Sequence, residues 1–158
     1  KQRLSSRIVD DNEKKILMAL QEDGRMQLKD ISKRVKLGID SVHNRIKEMI
    51  KKGIFETGIF IEPRVMGYPL IVDVKIKLKN ISNEQKENFI EYLKKHKRFI
   101  DLLEIMGDYD FTCVLIAKDS DDLSKISTDI RTKFKELILE WKGMLILKTH
   151  KFERYDLI

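Results

Sequence analysis

From Asp10 onward the apolar positions of the chain recur at helical spacing, with Ile16, Leu17 and Leu20 on one side of "DNEKKILMALQEDG". Asp10 and Glu13 form a D-x-x-E pattern that predicts the helix start, and Gly24 predicts its end. A second helix is expected over about Leu28–Val35, with Leu28, Ile31 and Val35 facing one way. After the break "KLG", residues 39–51 repeat the pattern. At about 100° per residue, Ile39, Val42, Ile46, Met49 and Ile50 gather on one face, and Asp40, Ser41, Asn44, Lys47 and Lys51 lie opposite. Gly53 stops this third helix. The following "IFETGIFIE", with Gly58 at its centre, predicts a two-stranded hairpin: a wing beside three helices.

Beyond "PRVMGYP", which holds both prolines, the period changes. "LIVDVKIKL" alternates as a half-buried strand does, with Val72, Val74, Ile76 and Leu78 on one face. "SNEQKENFIEYLKKHK" predicts a helix capped by Ser82, with Phe89, Ile90 and Leu93 inward. Two strands then flank a tight turn at Gly107-Asp108. A second helix is expected over "SDDLSKISTDIRTKFKELILEW", capped by Ser120 and ending near Trp141, and a last strand over "GMLILKTHKFERY". The order β-α-β-β-α-β is that of ferredoxin-like domains. The expected architecture is therefore α+β: a winged helix-turn-helix over 1–61, a hinge over 62–69 and a ferredoxin-like domain over 70–158. Two helices would cover one face of its sheet. The other face has no cover of its own, which predicts a homodimer packed sheet against sheet.

Composition narrows the chemistry. The 158 residues are 42% hydrophobic, enough for packed cores. No apolar run approaches the roughly 20 residues that span a bilayer. The start "KQRLSSRIVDDNEKK" lacks the apolar stretch of a signal peptide, and because it opens on Lys1 part of the natural N-terminus is expected to lie outside the chain. Cys113 stands alone, which excludes an internal disulfide and fits a reducing cytoplasm. His43, His96 and His150 are too scattered for a metal site, and neither a phosphate-binding glycine loop nor a nucleophile elbow is present, so no metal, cofactor or catalytic residue is expected. The net charge is +6, and residues 1–60 account for +5 of it. A basic end suits a polyanion, although a Lys/Glu-rich solvated surface would look similar, and charge alone does not choose between them.

The order of elements does choose. Residues 24–52 hold nine basic and three acidic residues. Two helices joined by a glycine-containing turn, the second basic and followed by a wing, have the form of a helix-turn-helix that enters a major groove. On that reading Asn44 suits adenine, and Ser41 a base or a phosphate. Arg45, Lys47, Lys51 and Lys52 are placed for the DNA backbone, with His43 as a minor phosphate contact. Asp40 suits the helix N-terminus or a cytosine amino group. The plainer alternative is a protein-binding module with a basic face.

The stretch from "VDDNEKKILMALQEDG" to "IKKGIFE" resembles the DNA-binding half of the Lrp/AsnC (leucine-responsive) regulators, and "MGYPLIVDVKIKL" through "IMGDYDFTCVLI" to "KGMLILKTHKF" resembles their sensing half. The resemblance implies a transcription regulator of duplex DNA, dimeric or assembled into tetramers or octamers, that binds an effector such as an amino acid where sensing domains meet. It implies an effector site at Gly107, Asp108, Tyr109, Asp110 and Thr149. There Asp108 or Asp110 would accept from an ammonium group, while turn N–H groups and the Thr149 hydroxyl would donate to a carboxylate. Taken alone, GDYD is an ordinary hairpin turn. Two positions depart from the family. Gly38, Ile39 and Asp40 stand where Ser and small hydroxyl residues usually open the recognition helix, implying an unusual operator. Leu147-Lys148-Thr149 replaces a T-x-T pattern, implying an altered effector. A tetrapyrrole (siroheme) decarboxylase of similar architecture is one alternative, but such enzymes carry His and Tyr-Asn pairs where this chain has "GDYDFTC". A DNA-compacting architectural protein is the other.

Overall fold

The computed structural model describes residues 8–158, so residues 1–7, part of the stretch read as lacking a signal peptide, lie outside the described part. The chain forms two compact units: the first runs to Phe60 and takes in His150–Ile158, and the second is Ile61–Thr149.

The first unit contains α1 (Asp11–Glu22), α2 (Leu28–Val35) and α3 (Ile39–Lys51). Its core is Ile16, Ile31, Val35, Val42 and Met49, with Leu17, Leu20, Leu28 and Ile46 packed against it. The capping box forms as expected. Glu13 N donates to Asp10 Oδ1 at 2.8 Å, and Asp10 N donates back to Glu13 Oε2 at 2.9 Å. The turn between α2 and α3 is tight: Lys36 takes a left-handed conformation at φ 58°, and the Ser32 hydroxyl donates to Leu37 O at 2.5 Å. α3 ends in a Schellman motif. Gly53 (φ 67°) donates to Ile50 O, and Ile54 donates to Met49 O, each at 2.9 Å.

The wing differs from expectation. Residues 54–62 carry no strand, and Ile59 and Phe60 are strongly exposed. An isolated two-stranded hairpin is marginal in water, and here Phe60 instead meets Phe152 edge-on at 5.3 Å. The tail is fastened to α1. Gln21 Nε2 donates to Tyr155 O at 3.2 Å, and Tyr155 N donates to Gln21 Oε1 at 2.9 Å. Arg154 Nη1 caps the helix by donating to Gln21 O at 2.9 Å. Tyr155 and Leu157 of the tail, with Leu17, Ile54 and Phe55, line an apolar cavity of about 310 Å³.

The second unit opens with a short 3₁₀ turn, Pro63–Met66. It then holds β1 (Leu70–Leu78), α4 (Asn83–Lys95), β2 (Phe99–Glu104), β3 (Phe111–Ala117), α5 (Ser120–Lys133) and β4 (Ile138–Leu145). The sheet order is β2-β3-β1-β4, antiparallel throughout, which is the expected α+β topology. Val72, Val74 and Ile76 pair with Leu115, Cys113 and Phe111, so these side chains share one face. On it they join Phe89 and Leu93 of α4 and Ile130 of α5 in a single core. Ring contacts extend that core: Phe89 lies 4.9 Å from Phe134, and Phe134 lies 4.9 Å from Tyr92.

The end of this unit corrects three expectations. α5 is capped by Asp119, not Ser120, and stops at Lys133. Trp141 lies inside β4 opposite Ile76, packed on the core. Thr149 follows β4 and is not within it. The helical pattern of 134–141 yields to a stronger demand, because β1 has a free edge whose ladder pairs Val72–Leu78 with 138–145. Lys79 N donating to Leu137 O at 2.9 Å closes that register.

On the sheet face away from the helices, Asp73, Lys75 and Thr112 form a polar knot. Thr112 Oγ1 donates to Asp73 Oδ1 at 2.6 Å, and Lys75 Nζ donates to Thr112 Oγ1 at 2.9 Å. Val114, Leu103 and Met144 lie on the same face by register, the last two being 52% and 41% exposed.

Candidate nucleic-acid interface and effector turn

The outer side of α3 is built by its own periodicity. Val42 and Met49 are fully buried and fix the helix to the core, which turns the opposite side outward. Gly38, Asp40, Ser41, His43, Asn44, Lys47 and Lys51 are all exposed. Gly38 caps the helix without a side-chain bond, and nothing lies within 4 Å of where a Cβ would stand, so the N-terminus of α3 opens to solvent. Its free N–H groups favour anions there.

Three residues behave differently from the sequence reading. Arg45, placed among the backbone-binding residues, is paired with acidic side chains of the same unit. Its Nη1 lies 2.5 Å from Asp10 Oδ2 and 3.8 Å from Glu13 Oε1. The Glu13 backbone N–H and the Arg45 guanidinium hold the Asp10 carboxyl below its ordinary value of 3.8. Arg45 thus ties α3 to the start of α1. Ile39, placed on the core face, is 49% exposed, and Ile50 is 45% exposed. The signal for both was available. They sit at the edge of the apolar stripe, about 60–80° from the direction of Val42 at 100° per residue.

The second candidate site divides. Gly107, Asp108, Tyr109 and Asp110 share one turn, and Gly107 adopts φ 151°, which favours glycine. Asp108 is exposed, whereas Asp110 is committed to the fold. Its Oδ2 accepts from Leu78 N at 2.6 Å, and its own N donates to Ile76 O at 2.9 Å. Thr149 is not beside them. The chain leading to it leaves the sheet at Ile146, whose N donates to Ile71 O at 2.8 Å, at the other end of β1. Five residues of strand separate those anchor points, roughly 17 Å at about 3.3 Å per residue.

Residues 9–56 match the family described as winged helix-turn-helix DNA-binding. The HTH-type transcriptional regulator FL11 of Pyrococcus horikoshii is 31% identical over 152 residues, covering 90% of this chain and 92% of that protein. Two solved structures share the fold. An AsnC family transcriptional regulator from Agrobacterium tumefaciens gives a TM-score of 0.82 at 21% identity, covering 94% of this chain and 97% of that one. A transcriptional regulator from Neisseria meningitidis in complex with L-Met gives 0.81 at 21% identity, covering 91% and 93%. With its helix-turn-helix, its four-stranded α+β unit and these relatives, the chain belongs to the Lrp/AsnC family of DNA-binding transcriptional regulators.

Proposed function

We propose that this regulator recognises a specific, pseudo-palindromic operator in duplex DNA as a homodimer or a larger assembly of dimers, in the cytoplasm. Residues to 61 act as the reading head, 62–69 as the hinge and 70–158 as the sensing and assembly domain, with the tail returning to the head. One observation carries the reading: the polar side of α3 is solvent-facing along its whole length and the N-terminus of the helix is open. Asn44 and Ser41 read base edges, Asp40 accepts from a cytosine amino group, and Lys47, Lys51 and His43 hold phosphates. Gly38 lets the helix start approach the backbone. Arg45 positions α3 and does not grip DNA itself.

The sheet face bearing Leu103, Val114 and Met144 supports packing against a second copy, with the Asp73–Lys75–Thr112 knot inside the contact. A small effector such as an amino acid sits between copies. Asp108 accepts from its ammonium group, the turn from Gly107 to Tyr109 donates backbone N–H groups, and Thr149 comes from another copy. Asp110 shapes the turn. That the Neisseria relative holds L-Met supports an effector of this class. Binding would favour one assembly, and so one spacing of heads, over another.

Selection of bound fragments from random DNA, with and without the twenty amino acids, tests the proposal. A palindromic consensus is expected. Asn44→Ala should relax it at one position, and Lys47→Ala should weaken binding to every sequence and lower the salt slope by about 0.9. Recovery of no consensus would overturn sequence-specific reading.

A further inference from the structure

We infer that Ile39 reads the operator, its side chain meeting the 5-methyl group of a thymine in the major groove. The inference rests on the DNA-binding reading and adds to it a residue that helical periodicity had assigned to the core.

Four observations converge on this position. Ile39 is the first residue of α3, in the turn that reaches base edges when such a helix lies in the groove. It is 49% exposed, whereas Val42 and Met49 of the same helix are fully buried, so the packing of the unit leaves much of its side chain unused. Gly38 before it carries no side chain and has open space around it, so nothing at the helix start shields Ile39 from an approaching duplex. Its neighbours Asp40, Ser41 and His43 are exposed as well, which sets one bulky apolar group within a polar reading surface.

The chemistry then selects the partner. Of the four bases in the major groove, only thymine presents a methyl group, and contact with an apolar side chain is how proteins recognise it. A phosphate offers an isoleucine no apolar surface, and a sugar is the same at every position and so carries no sequence information. Asp40 fits the same picture, because a carboxylate is repelled by phosphates but accepts from a cytosine amino group. Together the pair favours a thymine next to a cytosine-containing step. Ile50, the other exposed isoleucine of α3, lies eleven residues further along, about 16 Å at 1.5 Å per residue, and is too distant to share the contact.

The test exchanges thymine for uracil, which has the same hydrogen-bonding edge without the methyl. Sites selected from random DNA by the full chain would be remade with uracil at each thymine in turn, and affinity read by fluorescence anisotropy. At one thymine per half-site the exchange should weaken binding about fourfold, the value of one buried methyl. Ile39→Ala should bind the thymine site as weakly as the parent binds the uracil site, and should no longer distinguish the two bases there. If the parent tolerates uracil everywhere, or Ile39→Ala keeps the parent's thymine preference, the inference is overturned while DNA binding stands. If no site can be selected at all, both fail. The base exchange leaves the protein untouched, so a variant that folds poorly does not blur the result.

Discussion

Asp10 holds two structures at once, and separating them gives a quantitative test. Its carboxylate caps α1 and pairs with Arg45 of α3. Asp10→Ala removes both. Loss of an N-cap costs about 1 kcal/mol. The ion pair, with side chains 53% and 30% exposed, adds only about 0.2–1 kcal/mol because solvent screens it. Asp10→Asn keeps a good cap and loses only the charge, so it should forfeit no more than about 1 kcal/mol. In a unit of this size each kcal/mol moves the melting midpoint by about 4–8 °C. Melting followed by far-UV circular dichroism at pH 7 should therefore order the proteins as parent, then Asn, then Ala. The pH dependence follows from the sign of the shift. The folded carboxyl titrates below its ordinary value of 3.8. Its contribution is thus fully present above that value and is lost as the pH falls through the lower folded one, where parent and Asn variant should converge. Freeing Arg45 should also give DNA one more cation, steepening the salt dependence by about 0.9. If Asp10→Asn melts with the parent at pH 7 and keeps its salt slope, the tie between α1 and α3 does not exist in solution.

Three further outcomes are expected. Lys36 adopts φ 58° at the end of α2, so Lys36→Gly should raise stability by about 0.5–1 kcal/mol in urea unfolding. Burial pushes the Cys113 thiol up to about 12, so iodoacetamide at pH 8 should leave it unmodified until urea opens the second unit; rapid native labelling would contradict the packing. Met144→Glu places a charge on the sheet face proposed for self-association and should shift the protein toward monomer in sedimentation velocity, with its circular dichroism spectrum unchanged.

Much of the fold was legible because the local signals agreed with one another. The Asp10/Glu13 box, the Leu28–Val35 helix, the β1 strand and the Ser82 cap each appear where the residues place them. The misplaced elements are those whose structure depends on a distant partner. Residues 134–141 read as a continuing helix because Phe134, Leu137, Ile138 and Trp141 are also helically spaced, and only the vacant edge of β1 makes a strand of 138–145. The wing had the right residues for a hairpin, but Phe60 found Phe152, more than ninety positions away. In the candidate interface the exposed polar residues of α3 were readable from one helical wheel. Arg45 was not, since its engagement depends on an aspartate thirty-five residues earlier. Thr149 was expected near the middle of the last strand because that strand was read to begin only at Gly143, whereas it runs from Ile138 to Leu145.

The fastening of Tyr155 by Gln21 bears on how this regulator can be cut and handled. A recombinant head ended after residue 60 would lack one side of its own hollow, with Leu17 and Phe55 laid bare and the Gln21 carbonyl of α1 without its arginine donor. A bulky group attached after Ile158 would press on the helix-turn-helix unit, although in sequence it follows the residues of the second unit. Proteolytic trimming of the final nine residues would likewise be felt first at α1, before any change in the sheet.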